Sequence, residues 1–410
     1  MTTTRERSSA PTDLRRAALA AALGAACLLV AWGLLHVGFY DRNQIVDTPR
    51  YQSWGEDVLD GKVPYRDFAV EYPPGALPAF VLPALAAHPD YRPWFEALMW
   101  GCGAAAIAFI ALALAAVGAG DTRLYAATAF AGLAPLALGS VVLTRFDLWP
   151  AALTAGALAA LVSGRHRLGL GVLALAVAAK VYPAVLLPLA LAYTSRRRGG
   201  REAAVGLAVF AAVLGAVLLP FAVLAPDGLR ESLERQVTRP LQIESLGSAA
   251  LLAAHQAGAY VPHVVTTFGS QNLDGGLPDA VATIQTALQA VAVFAVWALF
   301  IRGRSGPESL LVSSAAAVAA FVAFGKVLSP QFLIWLVPLV PLLAGEAGLV
   351  AAALLASALF LTQLWFPYRY WHVVALERVG WLVLARDLVL VALFALLAWI
   401  SRQRESLRSS

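Results

Sequence analysis

Residues 202–224 read EAAVGLAVFAAVLGAVLLPFAVL, and this stretch decides the fold. After its first residue it carries no charged side chain, and about 20 apolar residues are enough to cross the hydrocarbon core of a bilayer as one helix. In water the same stretch would expose a large apolar surface. It is therefore predicted to span a membrane.

The whole chain of 410 residues has the same character, since 60% of its residues are hydrophobic and only 13% are charged. Soluble globular proteins carry about 25% charged residues. This composition excludes a soluble enzyme, a soluble nucleic-acid-binding domain and a disordered protein. It predicts an all-α polytopic membrane protein that forms a single integral membrane domain over residues 1–410.

The apolar segments predict about 12 transmembrane helices. Residues 168–194 count as a hairpin of two short helices, because Lys180-Val-Tyr-Pro183 interrupts helix geometry. Residues 75–87 are expected to form a juxtamembrane or re-entrant helix, since they are about half as long as a membrane span. The predicted spans are 17–38, 93–117, 124–142, 148–163, 168–181, 183–194, 202–224, 282–301, 308–325, 330–344, 347–365 and 381–400.

Arginine clusters indicate the orientation of the chain. With twelve crossings every cluster falls on one face, which the positive-inside rule makes cytoplasmic, and both termini are predicted there. The first apolar segment follows basic residues as in a signal peptide, but it is long enough to span and is expected to remain uncleaved. The clusters are Arg5, Arg7, Arg15 and Arg16; Arg123; Arg165 and Arg167; Arg196, Arg197, Arg198 and Arg201; Arg302 and Arg304; and Arg402, Arg404 and Arg408.

This orientation leaves two large extracytoplasmic loops, residues 39–92 and 225–281, and loops of that length commonly carry function. In the first loop, Asp47 precedes Thr48-Pro49, a typical helix start, and the expected helix would place Tyr51 one turn beyond the carboxylate. Capping of that helix is the alternative explanation for Asp47. Solvation of an outer loop explains three other acidic residues, Glu56, Asp57 and Asp60.

Several short motifs lie in the two loops and at outer helix ends. They are Asp47 with Tyr51, Gly61-Lys-Val-Pro-Tyr65, Glu71-Tyr-Pro-Pro74, Arg145-Phe-Asp147, Lys180-Val-Tyr-Pro183, Arg239-Pro-Leu-Gln-Ile-Glu-Ser245, and Lys326-Val-Leu-Ser-Pro-Gln331 followed by Trp335. Together they resemble the polyprenol-phosphate-sugar-dependent glycosyltransferases of the GT-C type. The nearest group is glycosyltransferase family 87, whose known members include actinobacterial phosphatidylinositol mannoside mannosyltransferases.

The resemblance implies a GT-C-like fold and transfer of a sugar, with inversion, from a polyprenyl phosphate to a hydroxyl of a lipid or glycan acceptor. The reaction would occur at the outer face of a bacterial plasma membrane. Asp47 is expected to act as the general base. No paired acid is needed, because the phosphate departs as an anion, unlike the leaving group of a glycosidase.

Mannose is the first expectation for the sugar, with arabinofuranose or another polyprenyl-linked sugar as the alternative. Gln331 stands near the place where some mannosyltransferase branches have histidines, which leaves the sugar and the acceptor open.

The departing phosphate needs cations close to the membrane boundary. The chain has only three lysines, Lys62, Lys180 and Lys326, and the predicted topology puts all of them outside. Lys180 and Lys326 stand at outer helix ends, where snorkelling toward lipid headgroups is the alternative to phosphate binding.

Several further residues are expected to bind the donor or the acceptor. A local ion pair is the alternative for Arg145 and Asp147, and solvated charge is the alternative for Arg239 and Glu244, which follow an amphipathic stretch. His372 lies among aromatic residues typical of a membrane interface. The full set is Tyr51, Tyr65, Glu71, Arg145, Asp147, Lys180, Tyr182, Arg239, Glu244, Lys326, Gln331 and His372.

No cofactor is predicted, although a divalent metal at Asp47 with other loop carboxylates stays an alternative. Cys27 and Cys102 lie in apolar segments, which argues against a disulfide or a thiolate metal site.

A membrane transporter or lipid-linked-sugar flippase is the main competing function, and a scaffolding membrane protein is another. Transporters place ionisable groups near the bilayer midplane. Here nearly all charges lie at segment ends, with Arg386-Asp387 the deepest, which favours chemistry at the outer surface.

Overall fold

The computed structural model describes residues 10–42, 44–86, 88–303 and 306–406. Arg5, Arg7, Arg304 and Arg408 of the predicted cytoplasmic clusters lie outside these residues. The α-helices are α1 (Ala10–Leu34), α2 (Thr48–Leu59), α3 (Leu77–Ala84), α4 (Tyr91–Ala116), α5 (Asp121–Leu138), α6 (Val141–Thr144), α7 (Leu148–Val162), α8 (His166–Ala179), α9 (Leu187–Arg198), α10 (Gly200–Leu224), α11 (Pro226–Thr238), α12 (Leu246–Gln256), α13 (Gly276–Arg302), α14 (Pro307–Ala323), α15 (Gly345–Trp365), α16 (Tyr370–Val374) and α17 (Gly380–Ser406). The 3₁₀ helices are Pro74–Ala76, His88–Asp90, Tyr182–Leu186, Pro330–Trp335 and Val340–Leu342, and the strands are β1 (Leu241–Gln242), β2 (His263–Thr267) and β3 (Ser270–Asp274).

Six helices of the described chain, α1, α4, α10, α13, α15 and α17, are long and apolar enough to cross a membrane. Shorter apolar helices, among them α7, α8 and α14, accompany them. This confirms the prediction of a helical polytopic membrane protein. The count of about 12 crossings and the loop layout stay predictions.

Prolines decide where two apolar stretches are interrupted. Helix α8 ends at Ala179, and α9 starts only at Leu187, which confirms the predicted break at Lys180. Residues 330–344, however, form two separate 3₁₀ segments, so the prediction of one continuous helix there is wrong. Three prolines in this stretch remove backbone donors that an α-helix needs.

The helices pack closely where small residues meet. Helix α1 packs against α4 and α5, and α7 lies between α4 and α8, while α17 contacts α14 and α15. A Cβ atom on Gly132 of α5 would lie only 2.3 Å from the carbonyl oxygen of Gly24 in α1. Inside a membrane, the burial of apolar surface does not drive helices together. Helices associate there through close backbone packing at small residues.

The second loop contains a small antiparallel sheet with the strand order β1-β3-β2, so the chain is mainly helical but not all-α. Strands β2 and β3 form a hairpin, and β1 adds to its edge through Leu241 opposite Leu273. The run Val264-Val-Thr-Thr267 supplies β-branched residues that favour a strand.

The first loop lies folded against the helix ends. Helix α2 (Thr48–Leu59) starts one residue before the predicted helix Pro49–Leu59, and residues 74–84 are helical where a half-length helix over 75–87 was predicted. A Cβ atom on Gly75 would lie 2.5 Å from the backbone of Ala178, and one on Gly228 would lie 1.8 Å from the carbonyl oxygen of Tyr65. The two glycines therefore let the first loop touch α8 and α11 directly.

Candidate active site

A cleft of ≈ 320 Å³ opens between the two long loops and the adjoining helix ends. We call it the polar cleft. It brings together side chains from eight separate parts of the chain. Seven residues predicted from the sequence line it, namely Asp47, Glu71, Arg145, Lys180, Arg239, Glu244 and Gln331.

Asp47 stands at the N-terminus of α2, but its side chain makes no hydrogen bond to that helix. Its carboxylate forms an ion pair with the guanidinium of Arg145. The hydroxyl of Tyr51 donates to Oδ2 of Asp47 at 3.4 Å, and Arg145 also donates to the carbonyl of Ile45 at 3.4 Å. Helix capping therefore does not account for Asp47, which is oriented by the residues at the cleft.

Asp147 pairs with Lys180, and Arg145 pairs with Asp47, so the alternative of a local ion pair between Arg145 and Asp147 is wrong. Nζ of Lys180 and Nε1 of Trp335 both donate to Oδ1 of Asp147 at 2.6 Å. Asp147 is only 1% exposed, and its Oδ2 has no hydrogen-bond partner among the described residues. The pair joins the turn before α7 to the break after α8.

Aromatic rings surround the ammonium group of Lys180. Its Nζ lies 4.8 Å from the ring centre of Phe146, 5.1 Å from that of Trp335 and 5.3 Å from those of Tyr72 and Phe332. A cation is attracted to the face of an aromatic ring. Lys180 is thus held in place on several sides, and snorkelling toward headgroups does not describe it.

A second cleft of ≈ 280 Å³, which we call the apolar cleft, adjoins the polar one. Its walls are mainly apolar and aromatic and include Tyr182, Phe321 and Trp335. The two clefts share four residues, namely Lys180, Gln236, Arg239 and Phe332.

Two cations at this border have no carboxylate partner within the described part of the chain. Nζ of Lys326, which lines the apolar cleft, donates to the carbonyl of Val237 at 2.9 Å. Arg239 donates to the hydroxyl of Ser270 at 2.9 Å. Burial raises the pKa of the Glu71 and Glu244 carboxyl groups and the charge of Arg239 acts to lower it, but Arg239 forms no ion pair with either of them. Neither cation is therefore held by a direct carboxylate contact.

Glu244 lies at the bottom of the polar cleft and is 2% exposed. Burial raises the pKa of its carboxyl group to about 8, although Arg386, Arg145 and Arg239 act in the opposite direction. Oε2 of Glu244 accepts a hydrogen bond of 2.5 Å from Gln242. Glu244 is therefore mainly protonated at neutral pH and presents a neutral polar group to the cleft.

Glu71 also lines the polar cleft and pairs with Arg50 at 2.7 Å. Burial raises the pKa of its carboxyl group, and Arg50 opposes this shift. Its carbonyl accepts a hydrogen bond of 2.6 Å from Gln236 of α11. Glu71 thereby connects the first loop to the second.

The other predicted residues do not line the polar cleft. Tyr51 is buried behind Asp47, and the hydroxyl of Tyr65 donates to the carbonyl of Tyr72 at 2.6 Å. Tyr182 lines the apolar cleft and stacks on Trp335 with 4.1 Å between ring centres. His372 lines neither cleft and contacts Glu377 at 2.9 Å.

Some residues of the polar cleft were not predicted from the sequence. Arg50 and the hairpin residues Phe268 and Ser270 carried no motif that would have singled them out. Arg386 was noted only as a deep charge, yet its guanidinium donates to the carbonyl of Glu244 at 2.7 Å from within α17. Its pairing with the second loop had no local signal in the sequence.

The described residues contain no group of three or more histidine, cysteine, aspartate or glutamate side chains arranged to hold a metal ion. At Asp47 the nearest charge is the guanidinium of Arg145, which repels a cation. Metal independence stays a prediction.

No curated protein matches the chain. Residues 70–330, more than half of the chain, match the profile of glycosyltransferase family 87. With its apolar helices and its charged cleft, the chain belongs to glycosyltransferase family 87 and is a membrane glycosyltransferase.

Proposed function

We propose that this glycosyltransferase moves a sugar, with mannose as the first candidate, from a polyprenyl phosphate to a hydroxyl of a lipid or glycan acceptor. The transfer inverts the anomeric carbon and takes place at the extracytoplasmic face of a bacterial plasma membrane. Asp47 acts as the general base. The observation that carries the proposal is the meeting of a polar and an apolar cleft at a shared wall that contains Lys180 and Arg239.

The apolar cleft suits the lipid part of the donor. Its aromatic and aliphatic walls match an isoprenoid chain, and Lys326 and Arg239 stand where the chain would meet its phosphate. Hydrogen bonds between cationic donors and phosphate oxygens are among the strongest in proteins. The negative charge that develops on the leaving phosphate would be stabilised by groups already in position.

The polar cleft suits the acceptor and the reacting sugar. A base must lie within hydrogen-bond reach of the hydroxyl proton that it removes. Asp47 lines this cleft, and Arg145 and Tyr51 fix the direction of its carboxylate. Asp47 precedes the residues that match the family, so its role rests on this geometry.

The direct test uses purified protein in lipid nanodiscs with a set of polyprenyl-phosphate sugars that includes mannose, arabinofuranose and glucose. A membrane lipid extract supplies acceptors. We expect one donor to give a glycosylated product of inverted anomeric configuration. Products of retained configuration, or no transfer from any donor, would refute the proposal.

The face of the membrane is tested by labelling. Lys62 is an exposed residue of the first loop, and Arg201 is an exposed residue after α9 on the predicted cytoplasmic side. We expect a membrane-impermeant maleimide to label Lys62→Cys in intact cells and Arg201→Cys only after permeabilisation. The reverse pattern would place Asp47 in the cytoplasm and exclude an extracytoplasmic reaction.

A further inference from the structure

Six arginines lie around the start of α8, the end of α9 and the start of α10, and we call them the arginine patch. They are Arg165, Arg167, Arg196, Arg197, Arg198 and Arg201. Helix α8 separates the patch from Lys180, and its 14 residues measure about 21 Å at a rise of about 1.5 Å per residue. The patch is therefore a surface separate from the polar and apolar clefts.

Side-chain contacts tie the three helix ends of the patch together. Arg167 pairs with Glu202 at 2.7 Å, which joins α8 to α10. Arg198 lies over the turn before α8, since a Cβ atom on Gly164 would be 3.4 Å from one of its guanidinium nitrogens. The arginines of the three helix ends therefore form one surface.

The arginine patch carries an excess of positive charge. A single glutamate, the partner of Arg167, is the only acidic residue in the sequence from 163 to 202. Arg165, Arg198 and Arg201 are exposed and form no ion pair with a carboxylate of the described residues. Like charges at such short distances repel one another. The patch therefore fits a partner that carries negative charge.

The partner must also suit a membrane, because the arginine patch adjoins an exposed apolar surface. Helix α10 starts beside Arg201, and two of its 25 residues, Gly206 and Phe210, are buried. Leu207 of α10 is 44% exposed, and Leu168 of α8 is 53% exposed. Clusters of about four to eight basic residues next to a membrane-crossing helix bind anionic lipid headgroups. A phospholipid carries its phosphate and its acyl chains in the same order as the patch and the apolar helix sides.

We infer that the arginine patch is a binding site for an anionic phospholipid of the bilayer. Arg165, Arg198 and Arg201 hold the headgroup phosphate, and the acyl chains lie along α8 and α10. Guanidinium groups suit this role, because their planar donors match phosphate oxygens in pairs. The inference goes beyond the proposed function, and its tests use no sugar donor, so either can fail without the other.

The first experiment compares two lipids with identical acyl chains. Protein in a mild detergent is mixed with equal amounts of dioleoylphosphatidylglycerol, which is anionic, and dioleoylphosphatidylcholine, which has no net charge. Native mass spectrometry then identifies the bound lipid. We expect the wild type to bind mainly phosphatidylglycerol. Equal binding of both lipids would overturn the site.

The second experiment removes two arginines of the patch together. In Arg198→Gln with Arg201→Gln, we expect the Kd for phosphatidylglycerol to rise about 25-fold, since each basic residue near an anionic headgroup contributes about fivefold. Both side chains are exposed, so this double variant should melt at the wild-type temperature in phosphatidylcholine. An unchanged Kd would overturn the inference.

Two exposed arginines outside the patch give a matched control. Arg15 of α1 and Arg402 of α17 lie on the same predicted face, and Arg15→Gln with Arg402→Gln removes the same charge. This control is expected to bind phosphatidylglycerol as the wild type does. If it loses as much affinity as the patch variant, the attraction comes from the net charge of the protein and no site exists.

A soluble phosphate separates a lipid site from a site for a free anion. Glycerol 1-phosphate carries a phosphate but no acyl chains, and we expect it not to displace phosphatidylglycerol. Displacement at concentrations equal to those of the lipid would overturn a lipid site.

The salt dependence of binding tests the electrostatic basis on the wild type alone. Raising ammonium acetate from about 0.1 M to about 0.5 M shortens the range of charge interactions, so we expect the affinity for phosphatidylglycerol to fall several-fold. An affinity that does not change with salt would contradict recognition by the arginines.

Discussion

The polar cleft and the apolar cleft share a wall but differ in how their charged side chains are paired. In the polar cleft, acidic side chains are neutralised by neighbours, as Asp47 is by Arg145 and Glu71 by Arg50. In the apolar cleft, Lys326 donates to a backbone carbonyl and forms no ion pair with a carboxylate of the described residues. Paired charges are fixed in direction, while a cation without a counter-charge attracts an anionic ligand.

This difference suggests that the two clefts bind different substrates. In the proposed function, groups of the polar cleft orient a hydroxyl and accept its proton, and the apolar cleft binds a lipid with a phosphate at its end. Lys180 lies on the shared wall and is itself paired with Asp147. Four experiments can break or sharpen this comparison, starting with the one expected to have the largest effect.

Asp47→Asn removes the proposed base and keeps the shape of the side chain. Because general-base catalysis contributes about 10²–10⁴-fold, we expect kcat to fall by that factor while the donor and acceptor KM values change little. Initial-rate kinetics with purified protein measure this effect.

Asp60→Asn is the matched control, since Asp60 is an exposed aspartate of the same loop that does not line the polar cleft. It should behave like the wild type. An Asp47→Asn protein that melts normally and keeps its full kcat would rule out Asp47 as the base.

Lys180→Met tests the shared wall. It leaves the carboxylate of Asp147 buried without its partner, which we expect to cost about 3–5 kcal/mol of stability. The double variant with Asp147→Asn removes both charges and should recover most of the melting temperature. Sugar transfer should nevertheless stay low, because the cation facing both clefts is missing.

Thermal melting and transfer rates are measured on the wild type, on Lys180→Met and on the double variant. Recovery of both stability and transfer in the double variant would show that the Lys180–Asp147 pair is only structural.

Lys326→Ala and Arg239→Gln test the border of the apolar cleft. Loss of a hydrogen bond to a charged group costs about 1.5–3 kcal/mol, so we expect the donor KM to rise about 10–100-fold in each variant. The acceptor KM should change less.

Lys62→Ala serves as the lysine control, since Lys62 pairs with Asp57 in the first loop and lines neither cleft. Donor KM values that are equal in Lys326→Ala, Arg239→Gln and Lys62→Ala would contradict phosphate binding at the border.

Glu244→Gln is expected to have the smallest effect on sugar transfer, and this effect is best measured as the dependence of the transfer rate on pH. Burial raises the pKa of Glu244 to about 8, so the group is neutral below that pH and anionic above it. A new negative charge in the cleft opposes the departure of a phosphate, and we expect wild-type transfer to fall a few-fold above pH 8.

Glutamine stays neutral at every pH, so Glu244→Gln should keep its rate above pH 8. A parallel decline in both proteins would exclude Glu244 as the titrating group.

Local sequence patterns predicted much of the fold. Hydropathy located the helices, and Lys180-Val-Tyr-Pro183 located a real break. The same reasoning failed at residues 330–344, because hydropathy does not distinguish an α-helix from proline-interrupted 3₁₀ segments. The β2–β3 hairpin was also missed, since its strands are short and lie within a polar loop.

The candidate site was predicted as a set of residues but not as a set of contacts. Asp47 was singled out before a helix start and Lys180 at an outer helix end, while Arg145 and Glu244 belong to motifs that resemble the family. Their partners were not visible, because Asp47 and Arg145 are separated by almost 100 positions in the chain. No periodicity links residues at that distance.

The sequence by itself determined that this chain is a helical membrane protein with its unusual charges at helix ends, since hydrophobic length and the cost of burying charge act locally along the chain. Only the tertiary structure decided that Asp47 faces Arg145, that Lys180 faces Asp147, and that two clefts meet beside them. Those contacts depend on how helices and loops distant in sequence pack together, and packing is a property of the whole molecule.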